Sequence, residues 1–301
     1  MTGDITFRAG RADDFVATWR VFTDAADDLA RRRGWAAVVR PASPPARFLA
    51  FRRSAVAHDP DGFWVAEHAG DMIGFGIAVQ REHIWYLAAL HVRPRYQATG
   101  IGAELIRRCL SAARSGSLLT VGADARNPVS NALYGRFGMF PQVALLELTG
   151  PVSGARASGA LRLVAGAPAA DVLARIDRVT LDAARPEDHA FWAATPGLHA
   201  FAIHLGDLVT GYVYLQADGA LGPIAVEEPG DLPAAIGLAL AEAASLGAGS
   251  ARVRIPGVAR AAVAELLDRG WRYGDGVTLV LTSAPWGRWE GYVTSGADAL
   301  L

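Results

Sequence analysis

At 301 residues, half of them hydrophobic and a fifth charged, the chain has globular composition and room for two domains of roughly 150 residues. A net charge of -1, with arginine as the only strong base, leaves no basic tract for nucleic acid. The single cysteine, Cys109, excludes an internal disulfide framework. No apolar run approaches the ~18 residues of a membrane span, and the start MTGDITFRAG lacks the basic and apolar regions of a signal peptide, so a cytoplasmic protein without a membrane partner is expected.

Ile5 to Arg8 reads as a short strand. Asp13 or Asp14 can cap a helix from Phe15 to Arg33, with Val16, Trp19, Phe22, Ala26 and Leu29 on one face and Gly34 as its stop. Pro41 to Pro45 breaks the chain before a second helix over Ala46 to His58. The aromatics of both helices suit packing on a sheet, or else the lining of an acceptor pocket. Phe63 to Glu67, Ile73 to Gln80 and Ile84 to Val92 form an antiparallel meander. A helix from Ile101 to Arg114 carries Cys109 on its apolar side, and Leu118 to Ala123 is the next strand. A short helix over Ser130 to Phe137 is stopped by Gly138, and Val143 to Leu148 completes the sheet.

Thr149 to Ala160, rich in small residues, reads as a linker between domains at 1–150 and 160–301. Beyond it the order repeats. A strand at Leu161 to Val164 is followed by helices at Asp171 to Ala183 and Pro186 to Ala194. Strands at Ala200 to Leu205, Val209 to Gln216 and Ala220 to Val226 come next, and a helix at Val258 to Arg269. Val92 aligns with Val226 and Gly138 with Gly270, at separations of 46 and 44 residues, which points to a duplicated α/β fold.

The chemistry is concentrated at the strand end Leu90-His91-Val92 and the turn Gln97-Ala98-Thr99-Gly100-Ile101-Gly102 that opens the helix. Unpaired amides at a helix start, with glycines permitting close approach, make an anion site. A dinucleotide fingerprint is excluded because Leu105 stands where its third glycine belongs, and a P-loop because the chain has no lysine. The second copy departs here: its turn is EPGDLPAAI (Glu228 to Ile236), with prolines and acids but no Gly-x-Gly, and Leu266 stands where the first copy has Tyr134.

Gln97-x-x-Gly100-x-Gly102, Leu90-His91-Val92-Arg93-Pro94, Asn127, Asn131, Leu133-Tyr134 and Phe137-Gly138 together resemble the GNAT superfamily of acyltransferases over residues 5 to 148. The resemblance implies two tandem GNAT-like domains, each a mixed, mostly antiparallel sheet flanked by helices, with the second copy degenerate. It implies acetyl-coenzyme A as co-substrate and no metal. Gln97, Ala98, Thr99, Gly100, Ile101 and Gly102 would hold the pyrophosphate, and Leu90, His91 and Val92 would offer groups to the pantetheine. Asn127 and Asn131 would bond the coenzyme or cap the short helix. Tyr134 matches the residue that protonates the departing thiolate, a phenol of pKa about 10 being suited to that transfer.

The general base stays open. Family positions for it fall on Tyr86 and Ala88, and the nearby alternatives are Glu82, His83 and His91, with Tyr86 as a relay or water alone. The expected reaction is direct acetyl transfer to a small-molecule amine, or less readily to a protein N-terminus or side chain, by a monomer or homodimer. The rival expectation is a coenzyme-binding sensor or scaffold. The second copy is expected to bind no coenzyme, and the aromatic tail Trp286 to Tyr292 to serve a cleft wall or a subunit contact.

Overall fold

Apolar alternation, glycine turns and two aromatic helices dictate the first half. The computed structural model describes residues 4–36, 38–152 and 160–295. It divides into two compact units, Met1–Leu119 and Thr120–Leu301.

In the first unit, β1 (Ile5–Ala9) leads through a helical turn to α1 (Phe15–Arg33) and α2 (Ala46–His58). Gly34 adopts φ 67° and ends α1, as its sequence position requires. Strands β2 (Phe63–His68), β3 (Asp71–Arg81) and β4 (Ile84–Val92) follow as an antiparallel meander, with β1 on the outer edge of β2. Helix α3 (Ile101–Leu110) lies close on this sheet because β3 offers it glycines: a Cβ at Gly76 would fall 2.9 Å from the Cys109 sulfur. The expected continuation of α3 to Arg114 is not seen, as Ser111 to Arg114 leave the helix in turns. Ile101 and Leu105 join Ala66, Ile73 and Tyr96 in the core beneath the glycine turn.

β5 (Leu118–Asp124) leads into the second unit, where α4 (Pro128–Gly135), β6 (Phe140–Pro151) and β7 (Leu161–Ala165) follow. Next come α5 (Ala170–Leu181), α6 (Pro186–Ala193), β8 (Leu198–Leu205), β9 (Leu208–Gln216) and β10 (Ala220–Val226). The chain then forms α7 (Leu232–Ser245), β11 (Ser250–Pro256), α8 (Arg260–Asp268), β12 (Arg272–Thr282) and β13 (Tyr292–Val293). The strand order within the unit is β5-β12-β6-β11-β10-β9-β8-β7, with β13 on β10. All the pairings recorded there are antiparallel except β10 with β11.

The duplication is visible at the ends of α4 and α8. Met139 N donates to Tyr134 O and Trp271 N to Leu266 O, closing the same loop around Gly138 (φ 79°) and Gly270 (φ 82°). Each strand that follows then crosses into the other half of the sequence. β6 pairs with β11 (Leu148 opposite Val253), β12 pairs with β5 (Leu279 opposite Ala123), and the two pair with each other. The segment Val143 to Leu148 therefore does not complete a sheet with its own half alone, as the sequence had suggested. Local periodicity carries no information about such an exchange, because a strand presents the same faces to either neighbour.

The linker expected at Thr149 to Ala160 begins instead as strand. Thr149 to Pro151 finish β6 against Ser250 to Arg252, and residues 153–159 lie outside the described residues. Among the described residues, no helix is long and apolar enough to cross a membrane.

Candidate active site

The glycine turn is held open by its own side chains. Gln97 Nε2 donates to Val92 O at 2.9 Å, its Oε1 accepts from Arg32, and Thr99 Oγ1 donates to Tyr96 O at 2.7 Å. These bonds stabilise an unusual backbone, with Ala98 at φ 61° and Gly100 at φ 92°. Among the described residues, the amides from Ala98 to Ala103 donate to no recorded partner, while Glu104 N already closes the first helical turn on Gly100 O. A Cβ built at Gly100 meets nothing within 4 Å, so the space before these amides is open. Converging N-H groups at a helix start favour a phosphate anion, and the turn fits a pyrophosphate on that ground. Gln97 acts here through the turn it braces, both ends of its amide being already bonded.

β4 changes register as it approaches the turn. Ile77 lies opposite Ala89 but Ala78 lies opposite Leu87, so Ala88 is an extra residue in a β-bulge. A bulge frees backbone groups and redirects the strand. Leu90, His91 and Val92 follow it, all half-buried. The second copy keeps the feature: Leu221 pairs with Leu215 and Ile224 with Val213, which bulges Gly222-Pro223 on β10.

His91 lies among aromatic rings, 5.1 Å from Phe22 and 5.3 Å from Phe75. Desolvation, helped by the positive charge of Arg52, lowers its pKa from 6.5 to about 4, so it is neutral at pH 7. Unfolded chain takes up this proton first, so the ring costs stability as pH falls from 6.5 toward 4 and costs nothing above that window. Titration of the His91 ring by NMR should give a midpoint near 4, whereas one near 6.5 would mean a hydrated ring.

Glu82 and His83 are not brought to this place. They form the turn between β3 and β4, Glu82 at φ 47°, and about 25 Å of extended strand separates them from Leu90 at the usual rise per residue. Nearness to β4 in the sequence therefore does not place them at the end of β4 that leads into the glycine turn. Tyr86 is buried, and Ala88 has no group to titrate.

In the second unit, Asn127 Oδ1 accepts from Ser130 N at 3.3 Å and caps α4. Asn131 Nδ2 donates to Asp124 O and Ala125 O, which leaves its Oδ1 buried without a partner among the described residues. That orphaned acceptor suits an amide donor of a ligand. Tyr134 is buried, and burial alone pushes its phenol pKa up, keeping it protonated and able to donate.

The second copy is closed where the first is open. Pro229 and Pro233 supply no amide, Asp231 N donates back to Glu228 O, and Glu227 pairs with Arg175. β10 and β11 pair only at Ala220 and Leu221, then diverge. The chain end fills the gap: β13 pairs with Ile224 and Ala225, and Thr294 N donates to Arg254 O at 3.1 Å. Trp286, Trp289 and Tyr292 are all buried, so the aromatic tail is core and not the exposed contact surface suggested by its composition.

A buried polar network beneath α5 and α6 had no counterpart in the sequence reading. Asp177 accepts from Arg185 (3.2 Å), Tyr212 (2.7 Å) and His189 (2.9 Å), His189 Nδ1 meets Tyr214 OH at 2.8 Å, and Arg185 donates to Tyr292 at 3.1 Å. Burial pushes the Asp177 carboxyl up, but Arg185 and His189 outweigh it and hold it at about 2. The available signal was three charged or polar residues, Asp177, Arg185 and His189, in segments otherwise reading as core helix. Among the described residues, no group of His, Cys, Asp and Glu could hold a metal ion.

The profile of the acetyltransferase (GNAT) family matches residues 24–139. No curated protein sequence matches the chain. A candidate acetyltransferase from Pyrococcus horikoshii superposes with a TM-score of 0.76 at 18% identity, over 100% of this chain and 97% of that one. A GCN5-related N-acetyltransferase from Sphaerobacter thermophilus gives 0.62 at 13% identity, over 92% and 95%. A tandem GNAT protein from the clavulanic acid biosynthesis pathway gives 0.58 at 15%, over 94% and 99%. At these identities the likeness speaks for the fold, a mixed α/β architecture with a mostly antiparallel sheet. Residues 24–139 thus match the GNAT acetyltransferase family, and the chain as a whole is similar in fold to solved acetyltransferases, a tandem GNAT protein among them.

Proposed function

We propose that the first copy transfers an acetyl group from acetyl-coenzyme A to an amine acceptor by direct attack, in the cytoplasm, and that the second copy holds no coenzyme. The observation that carries this reading is the run of amides from Ala98 to Ala103, without a partner among the described residues, around an open Gly100. Those amides would hold the pyrophosphate, and the strand end Leu90 to Val92 the pantetheine. When bound, acetyl-coenzyme A supplies the acetyl group: the amine nitrogen forms the C–N bond as the C–S bond breaks, and the sulfur leaves with the electron pair.

The β-bulge at Ala88 frees backbone amides that can stabilise negative charge developing on the carbonyl oxygen. Tyr134, kept as the candidate acid on its sequence match, would donate its proton to the departing sulfur. The proton lost by the amine leaves to water, or through His91, which is neutral at pH 7. Glu82 and His83 drop out as bases because of their place in the far hairpin.

The test is release of free thiol from acetyl-coenzyme A over a panel of amines. Turnover with an acceptor is the expected result, and Tyr134→Phe should then lower kcat by about 10²-fold with donor binding little changed. A near-normal kcat in that variant would leave Tyr134 as packing. The rival reading, a coenzyme-binding sensor, is favoured by the absence of a titratable carboxylate at Tyr86 and Ala88. Tight coenzyme binding without turnover on any amine would establish it instead.

A further inference from the structure

Three arginines of the described chain are buried: Arg52, Arg81 and Arg185. Two of them have a buried or nearly buried acid, Asp59 for Arg81 at 2.9 Å and Asp177 for Arg185 at 3.2 Å. Arg52, the least exposed at 5%, has no carboxylate within ion-pair distance among the described residues. Its Nε donates to Thr18 Oγ1 at 2.9 Å and its Nη1 to Phe48 O at 3.1 Å. Its Nη2 has no hydrogen-bond partner there and is not sealed from solvent.

The guanidinium sits over the Phe48 ring, 3.1 Å from its centroid, and 5.6 Å from that of Phe75. Phe75 in turn touches His91, which touches Phe22, and Phe22 and Phe48 are only half-buried. Arg52 is thus placed beside the strand end that leads into the glycine turn, within a partly open aromatic surface. A buried cation without an anion is costly unless something else supplies the negative charge. Burial lowers Arg52 to about 9, which still leaves it charged at pH 7.

We infer that the acceptor is a small amine that also carries a carboxylate, and that Arg52 Nη2 binds that carboxylate while Phe22 and Phe48 cover its carbon skeleton. This rests on the acetyl-transfer reading above and names the acceptor's chemical class. A carboxylate suits the place better than a phosphate, because one free guanidinium nitrogen and aromatic walls cannot replace the hydration of a dianion. Arg52 is then a specificity-determining residue, and the amine is left to project toward the strand end.

The experiment compares matched acceptors on the intact protein: free leucine against leucinamide, free phenylalanine against phenylalaninamide, and 6-aminohexanoate against 6-aminohexanamide. Loss of a charge-assisted hydrogen bond predicts that, in at least one pair, the carboxylate is preferred by about 30-fold or more in kcat/KM. Arg52→Gln should bring that ratio below about threefold, and Arg52→Lys should leave it in between. Ratios near one in every pair that turns over would overturn the inference while acetyl transfer stands, and so would a preference that survives Arg52→Gln. Should neither variant fold, the wild-type ratios decide alone. Absence of acetyl transfer to every member of the panel, with coenzyme A bound, would sink the acetyl-transfer reading first and this inference with it.

Discussion

Gly100→Val should weaken coenzyme A binding at least about tenfold, a loss of roughly 1.4 kcal/mol or more. Gly100 sits at φ 92°, where a β-branched residue is strained, and its missing Cβ faces the open space before the unpartnered amides. Strain and obstruction can be separated with Gly116→Val. Gly116 has φ 78° and equally open surroundings but lies in the turn after α3, so it shares the strain without standing before the amides. Calorimetry should show weakened binding only for the first variant. Equal affinities in both would mean that the turn does not hold the coenzyme.

Arg185→Met should destabilise the second unit by about 3–5 kcal/mol, because it leaves the Asp177 carboxylate buried without its main cation. The surface pair Arg252 and Asp218 is a useful contrast: both side chains are about half exposed, and its removal should cost no more than about 1 kcal/mol. The double variant Asp177→Leu with Arg185→Met should recover part of the loss, since no uncompensated charge remains. Because Asp177 is held low, its contribution is complete above the ordinary carboxylate pKa of 3.8 and is lost as pH falls toward 2. Denaturant unfolding of the three variants checks the order, and a single-variant cost no larger than the surface pair would contradict it.

Much of this was legible in the chain. Gly34, Gly138 and Gly270 stop helices where their positions require, and Ala220 to Val226 is a strand with the residue bounds read from its apolar run. The turn was legible because glycine spacing constrains the backbone directly. The strand exchange between β6 and β12 was not, since Val143 and Val280 pair across 137 residues and nothing local distinguishes a partner in one half from a partner in the other. The same blindness placed Trp286, Trp289 and Tyr292 on a surface: aromatic composition fits an interface and a core equally well, and the register with Ile224 and Ala225 decides for core. Glu82 and His83 lie near β4 in the sequence, but residue type does not tell which end of β4 meets the glycine turn. Arg52 was read only as part of a helix, because the absence of a counter-ion is a property of the folded chain.

The most direct measurement of the whole account is the number of coenzyme A molecules bound per chain. The first copy presents free amides, whereas the second has Pro229 and Pro233 in its turn and its diverging strands occupied by β13. Calorimetric titration of the intact protein should therefore saturate at one coenzyme A per chain, and Gly100→Val should weaken that one site. Saturation at two per chain, or a single site that ignores Gly100→Val and is lost on substitution within residues 227–236, would contradict it.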